Sequence, residues 1–76
     1  MDEKLVQIIS AAFKIPAASV TDDLEYQSIP QWDSISHMLL ISDIESNFNI
    51  VIDTQDVINL SSVGKAKEIL RKYIPN

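Results

Sequence analysis

Between Ser34 and Phe48 the apolar residues follow a helical period, yet they occupy two sides of the wheel. At about 100° per residue, His37, Leu40, Ile41, Ile44 and Phe48 share one side. Ile35, Met38, Leu39 and Ser42 fall on nearly the opposite side. A helix of this kind is either wholly buried or offers one side to a partner. In a chain of 76 residues, a few short helices cannot enclose both sides of one of their number. The stripe through Leu40 and Ile44 is therefore expected to face a core. The stripe through Ile35, Met38 and Leu39 is expected to face outward as a docking surface.

Three further segments suit helices. In residues 2–13, Leu5, Ile8, Ile9, Ala12 and Phe13 recur at helical spacing, and Val6 widens the stripe. Asp2 suits its N-cap, and Pro16 stops it by pushing Ile15 toward extended geometry. Thr54–Asn59 suits a short helix capped by Asp53 or Thr54. Ser61 or Ser62 then caps a last helix running to about Tyr73, with Val63, Ala66, Ile69, Leu70 and Tyr73 inward. Arg71 and Lys72 are expected in its last turn, where cations complement the helix dipole, and Pro75 ends it. Asn49-Ile50-Val51-Ile52 reads as an extended link.

Residues 14–32 show no period. A connection of that length is long beside the usual 4–6 or so residues. Ile15, Val20, Leu24, Tyr26, Ile29 and Trp32 are spread along it, so the loop is expected to be ordered and pinned to the core. The expected fold is an all-α four-helix bundle of one domain, residues 1–76, with a long ordered loop between helices 1 and 2 and a short third helix.

Composition narrows the chemistry. Cysteine is absent, which excludes disulfides and thiolate metal sites, and a single histidine leaves no His cluster. The longest apolar run is four residues, against about 20 for a membrane span. The opening Met-Asp-Glu-Lys puts acids where a secretory signal carries basic charge, so the cytoplasm is the expected compartment. The net charge of −5 is unevenly spread: residues 15–64 carry −8 without one Lys or Arg, and residues 65–76 carry +3. An acidic middle argues against nucleic acid and anionic membranes and favours basic protein partners. A solvated acidic surface that only aids solubility reads from the same composition.

Ser34 sits at the start of a helix, after the long loop and beside the outward stripe. A helix N-terminus presents free N–H groups and partial positive charge, so a phosphate attached there is well placed. Asp33 or Ser34 also reads simply as an N-cap. Asp33, Ser34 and His37 contain the residue types of a catalytic triad, but His37 belongs to the core-facing stripe. No glycine elbow lies near Ser34 to build an oxyanion hole. The chain is therefore not expected to be an enzyme, and His37 is expected to be half-buried and hydrogen-bonded to loop backbone. Asp53 and Asp56 lack the glycine and glutamate of a calcium loop; they are expected to cap the short helix, and no metal site is expected.

In this arrangement Asp33-Ser34-Ile35 resembles the Asp-Ser-Leu that heads the second helix of acyl carrier proteins and their peptidyl carrier relatives. Phe48-Asn49-Ile50-Val51-Ile52, fourteen residues after the serine, is similar to that family's Phe-(Asp/Gly)-Ile-x-Ile. Leu60-Ser61-Ser62-Val63 resembles its hydrophobic-Thr-Thr-Val, and Val20-Thr21-Asp22-Asp23-Leu24 suits the middle of its first loop. The resemblance spans essentially the whole chain. It implies a bundle of acyl-carrier type whose cofactor, 4′-phosphopantetheine, is moved covalently from coenzyme A onto Ser34 by a separate phosphopantetheinyl transferase. The thiol of that arm would carry acyl groups as thioesters, so the chain needs no cysteine. Asp33 would sit by the phosphodiester. Ile35, Met38, Ser42 and Glu45, joined by Leu39 from the wheel, would meet partner enzymes: loading ligases, synthases or acyltransferases with basic patches. A monomer is expected.

Two departures shape the subtype. Ser28-Ile29-Pro30-Gln31-Trp32 stands where the family often has Leu-Gly, and Leu39 and Ser46 stand where fatty-acid carriers tend to have acids. Trp32-Asp33-Ser34 with Ser36-His37-Met38 looks more like discrete carriers of specialised pathways, so the resemblance implies a fatty-acid-like or specialised biosynthetic pathway. Trp32 either anchors the loop or contacts the arm or a partner. Two alternatives stay open: an aminoacyl or peptidyl carrier loaded by an adenylating ligase, and an unmodified helical adaptor binding through Ile35, Met38 and Leu39.

Overall fold

The apolar period of the first segment becomes α1 (Asp2–Phe13), which buries Leu5, Ile8, Ile9 and Phe13. The computed structural model describes residues 2–74. Asp2 is the first helical residue and not the cap expected of it; with Glu3 it places acids in the first turn, against the positive end of the dipole. Lys14 turns the chain out of the helix with a left-handed φ of 56°. The N–H of Ile15 then closes back on the Ser10 carbonyl at 3.1 Å.

The second segment becomes α2 (Ser34–Phe48), whose buried residues are Leu40, Ile41 and Ile44. His37 and Phe48 on the same stripe are half-buried. Asn49 ends α2 in the left-handed region, φ 56° and ψ 51°, with its N–H on the Glu45 carbonyl. A short polar residue tolerates that conformation where a β-branched one would not. The third and fourth segments become α3 (Thr54–Asn59) and α4 (Val63–Leu70). Ser62 caps α4, accepting from the Lys65 N–H at 3.0 Å.

Three expectations change here. α4 stops at Leu70, short of Tyr73. Beyond it the chain tightens into turns, with the N–H of Lys72 on Ile69 and that of Tyr73 on Leu70, because Lys72 and Tyr73 are drawn to Asp56 on α3. Arg71 and Lys72 therefore follow the helix instead of forming its last turn; the stop expected at Pro75 lies outside the described residues. Asp53 stands at the N-cap of α3 but makes no side-chain cap bond. Asp56 caps nothing: it is buried and paired with Lys72 and Tyr73.

The long loop is ordered for a reason the sequence did not show. The first N–H groups of a helix lack intrahelical partners, and α4 takes two of its acceptors from the loop. Val63 donates to the Leu24 carbonyl at 3.0 Å and Gly64 to the Asp22 carbonyl at 2.9 Å. Tyr26 returns a bond to the Ser61 carbonyl at 2.9 Å, making an antiparallel bridge between Glu25 and Ser62. Gly64 permits the close approach, since a Cβ there would meet the Asp22 carbonyl oxygen at 3.2 Å. Lys67 adds an ion pair to Asp22 at 2.6 Å. A 3-10 turn at Ala17–Ser19 shortens the path.

Trp32 anchors the far end of the loop. It is fully buried, 5.2 Å centroid to centroid from Phe13 on α1 and edge-on to Tyr26 at 6.3 Å. Val20 is buried with it, and Ile15, Leu24, Tyr26 and Ile29 pack partly buried against the same core. Among the described residues no helix is long and apolar enough to cross a membrane.

Candidate functional site at the head of α2

Ser34 is the first residue of α2, and it is exposed. Its surroundings are fixed from both sides. Before it, the N–H of Gln27 bonds the Trp32 carbonyl at 3.0 Å and the N–H of Trp32 bonds the Ile29 carbonyl at 3.1 Å, closing the last stretch of loop. Gln27 takes a left-handed φ of 65° to make that closure. After it, Asp33 caps the helix, its Oδ1 accepting from the Ser36 N–H at 2.8 Å. That bond, joined by one from the Ser36 side chain, holds the Asp33 carboxyl below the usual range. Asp33 is thus ionised at neutral pH, one residue from the serine hydroxyl.

The outward stripe is present as expected. Ile35, Met38 and Leu39 are 73%, 57% and 61% exposed, and Ser42 is exposed beside them. Glu45 departs from the rest. It is half-buried, and its Oε2 accepts from the Ile52 N–H at 2.8 Å, tying the link after α2 back to the helix. Sequence reasoning missed Val51 and Ile58, both large, apolar and strongly exposed. A six-residue helix is too short for its period to show that Ile58 faces outward.

His37 is half-buried, as expected, but its partners differ from the loop backbone anticipated. Its ring lies between the Trp32 indole and the carbonyl of Val57 on α3. The sequence could show that the residue faces inward but not that it meets a helix twenty positions away. Among the described residues no group of three His, Asp or Glu is placed to hold a metal ion.

A family described by its phosphopantetheine attachment site matches residues 3–70. An acyl carrier protein of Lactobacillus johnsonii is 33% identical over 70 residues, which is 92% of this chain and 88% of that protein. The chain belongs to the acyl carrier family. The fold agrees: a structure from Mycobacterium tuberculosis, described as a candidate acyl carrier protein, superposes with a TM-score of 0.84. That likeness covers 96% of this chain and 97% of the other at 20% identity. The family is one of carriers, not enzymes, and its cofactor is 4′-phosphopantetheine. As an acyl carrier, the chain works with enzymes that handle acyl groups.

The head of α2 fits that cofactor. A primary hydroxyl stands exposed at a helix N-terminus, where the positive end of the dipole favours a phosphodiester. A shallow depression of about 380 Å³, lined by Gln27, Ser28, Ile29, Pro30, Trp32 and Asp33, opens beside it.

Proposed function

We propose that Ser34 is the attachment residue and that the carrier is a single domain serving a specialised biosynthetic pathway in the cytoplasm. The observation that carries this reading is the exposed hydroxyl of Ser34 at the first position of α2, beside an ionised Asp33. A phosphopantetheinyl transferase delivers the group: the Ser34 oxygen bonds to the pantetheine-bearing phosphorus of coenzyme A as that phosphorus loses its bond to the bridging pyrophosphate oxygen, adenosine 3′,5′-bisphosphate leaves, and the hydroxyl proton passes to the transferase or solvent. Asp33 lies where the transferase's magnesium would approach. The bound arm supplies a thiol on which an acyl group rides as a thioester. The carrier's own residues bind and present; tethering raises the effective concentration of the load at each partner.

The partners are enzymes with basic patches around an apolar socket, which Ile35, Met38 and Leu39 enter. Ser42 lines the same face, and Glu45 lies at its edge with one oxygen engaged by Ile52. The −8 of residues 15–64 complements such patches. The greasy α2, with Leu39 and Ser46 in place of acids, favours a specialised pathway over housekeeping fatty-acid synthesis.

The test is intact mass after incubation with coenzyme A, magnesium and a broad-specificity transferase. The parent is expected to gain one phosphopantetheine and Ser34→Ala none. A parent that gains nothing while folded points to an unmodified adaptor instead. Loading assays with fatty acids and amino acids then separate an acyl carrier from an aminoacyl one.

A further inference from the structure

Trp32 and His37 flank Ser34 in sequence and are joined side chain to side chain. The indole Nε1–H donates to Nδ1 of His37 at 3.0 Å. Nε2 of His37 lies 3.0 Å from the Val57 carbonyl oxygen. An indole N–H can only donate and a carbonyl can only accept. The imidazole is therefore held as the neutral tautomer with its proton on Nε2, which donates to Val57.

Both ends of this relay matter to the site. Trp32 is fully buried, and its main-chain N–H and carbonyl are both bonded within the loop that leads to Ser34. Val57 lies in the last turn of α3, where a carbonyl has no acceptor role left within the helix. A six-residue helix does not hold itself, and this one has no side-chain N-cap bond. Its place is set by its ties: Asp56 to Lys72 and Tyr73, and Val57 to His37.

We infer that the Trp32–His37–Val57 relay makes His37 a positioning residue for the modification of Ser34. It locks the head of α2 and the short α3 into one surface, so that a transferase meets Ser34, Ile35 and the exposed Ile58 in a fixed relation. His37 touches no reacting atom; it acts through Trp32 and Val57. The inference rests on attachment at Ser34, proposed above.

The test is transfer kinetics at varied carrier concentration, on variants shown to be folded by circular dichroism. His37→Ala removes both bonds and is expected to raise KM for the carrier about 3- to 10-fold, the effect of losing a hydrogen bond or two, with kcat nearly unchanged. His37→Gln keeps an acceptor and a donor and is expected to restore most of the parent KM. Trp32→Phe keeps a ring in the core but removes the indole donor along with part of the buried volume; it is expected to raise KM in the same direction. The double variant Trp32→Phe/His37→Ala is expected to be less impaired than the two effects combined, because both act on one relay. A folded His37→Ala with the parent KM overturns the inference, as does a Gln variant no better than Ala.

If His37→Ala does not fold, the parent ring decides. Its nitrogen-15 spectrum is expected to show a protonated Nε2 and a bare Nδ1, and the opposite tautomer or an exchanging mixture overturns the relay. A parent that gains no mass fails at the Ser34 reading, and the positioning role falls with it. Mass gain with an unmoved KM sinks the relay alone.

Discussion

Neighbouring side chains at the head of α2 have opposite fates, and mutation separates them. Trp32 fills the core and Ile35, three residues on, fills nothing. Trp32→Ala is expected to cost about 3–5 kcal/mol, since a large buried side chain leaves a cavity the core cannot wholly close. That is a large share of the stability of a domain this size, and a urea melt reads it directly. Ile35→Ala is expected to change stability by less than about 0.5 kcal/mol while weakening capture by partner enzymes, measured by pull-down or titration. The wheel made Ile35 legible, because a residue opposite a core stripe faces away from it. Trp32 was legible as an anchor but not as a donor to His37. His37 was legible as an inward residue but not as the cap of α3. Hydrogen-bond partners depend on packing between elements, which a periodic pattern does not encode.

The helices themselves were readable to within a residue or so wherever local signals set their ends. α2 begins where Asp33 caps it and ends where Asn49 takes the left-handed turn. Asn49→Val is expected to cost about 1–2 kcal/mol, because a β-branched residue strains at that φ, and Asn49→Gly to cost little; thermal melts distinguish the two. The end of α4 was misread because a tertiary tie, not a local signal, sets it. The tie also sets a pH dependence. Hydrogen bonds from Lys72 and then Tyr73 hold the Asp56 carboxyl below its ordinary value of 3.8. A lowered carboxyl contributes stability above its unfolded value and loses it as pH falls through the folded one. On the alkaline side, the bond to Asp56 raises both Lys72 and Tyr73. Their contribution is full below their ordinary values of 10.5 and 10.0 and fades as pH rises through the raised ones. Asp56→Asn is therefore expected to lower the melting temperature at neutral pH and to flatten its fall below about pH 4. Equal slopes for parent and variant would remove the cluster from this account.

At the scale of the molecule, charge and size act together. The chain measures 29 × 23 × 20 Å. At about 0.01 M salt the screening length is about 30 Å, so every acid repels every other; at about 0.15 M it is about 8 Å, and only neighbours do. Residues 15–64 carry −8 with no cation among them. Added sodium chloride or magnesium is therefore expected to raise the melting temperature from its low-salt value, and a melting temperature indifferent to both would mean that repulsion among the acids does not limit stability. The loop bridge between Glu25 and Ser62, clasping residues far apart in the chain, was invisible in the sequence for the same reason as the relay: unpaired N–H groups at the start of α4 found their acceptors by proximity. One consequence reaches the bench. Trp32 is the chain's only tryptophan, and its indole is walled in by Phe13, Tyr26 and His37, two residues from the proposed attachment point. The carrier thus has a built-in optical gauge. Its ultraviolet emission is expected to shift when loading or docking changes that packing, without a dye, in any mixture whose enzymes are made free of tryptophan.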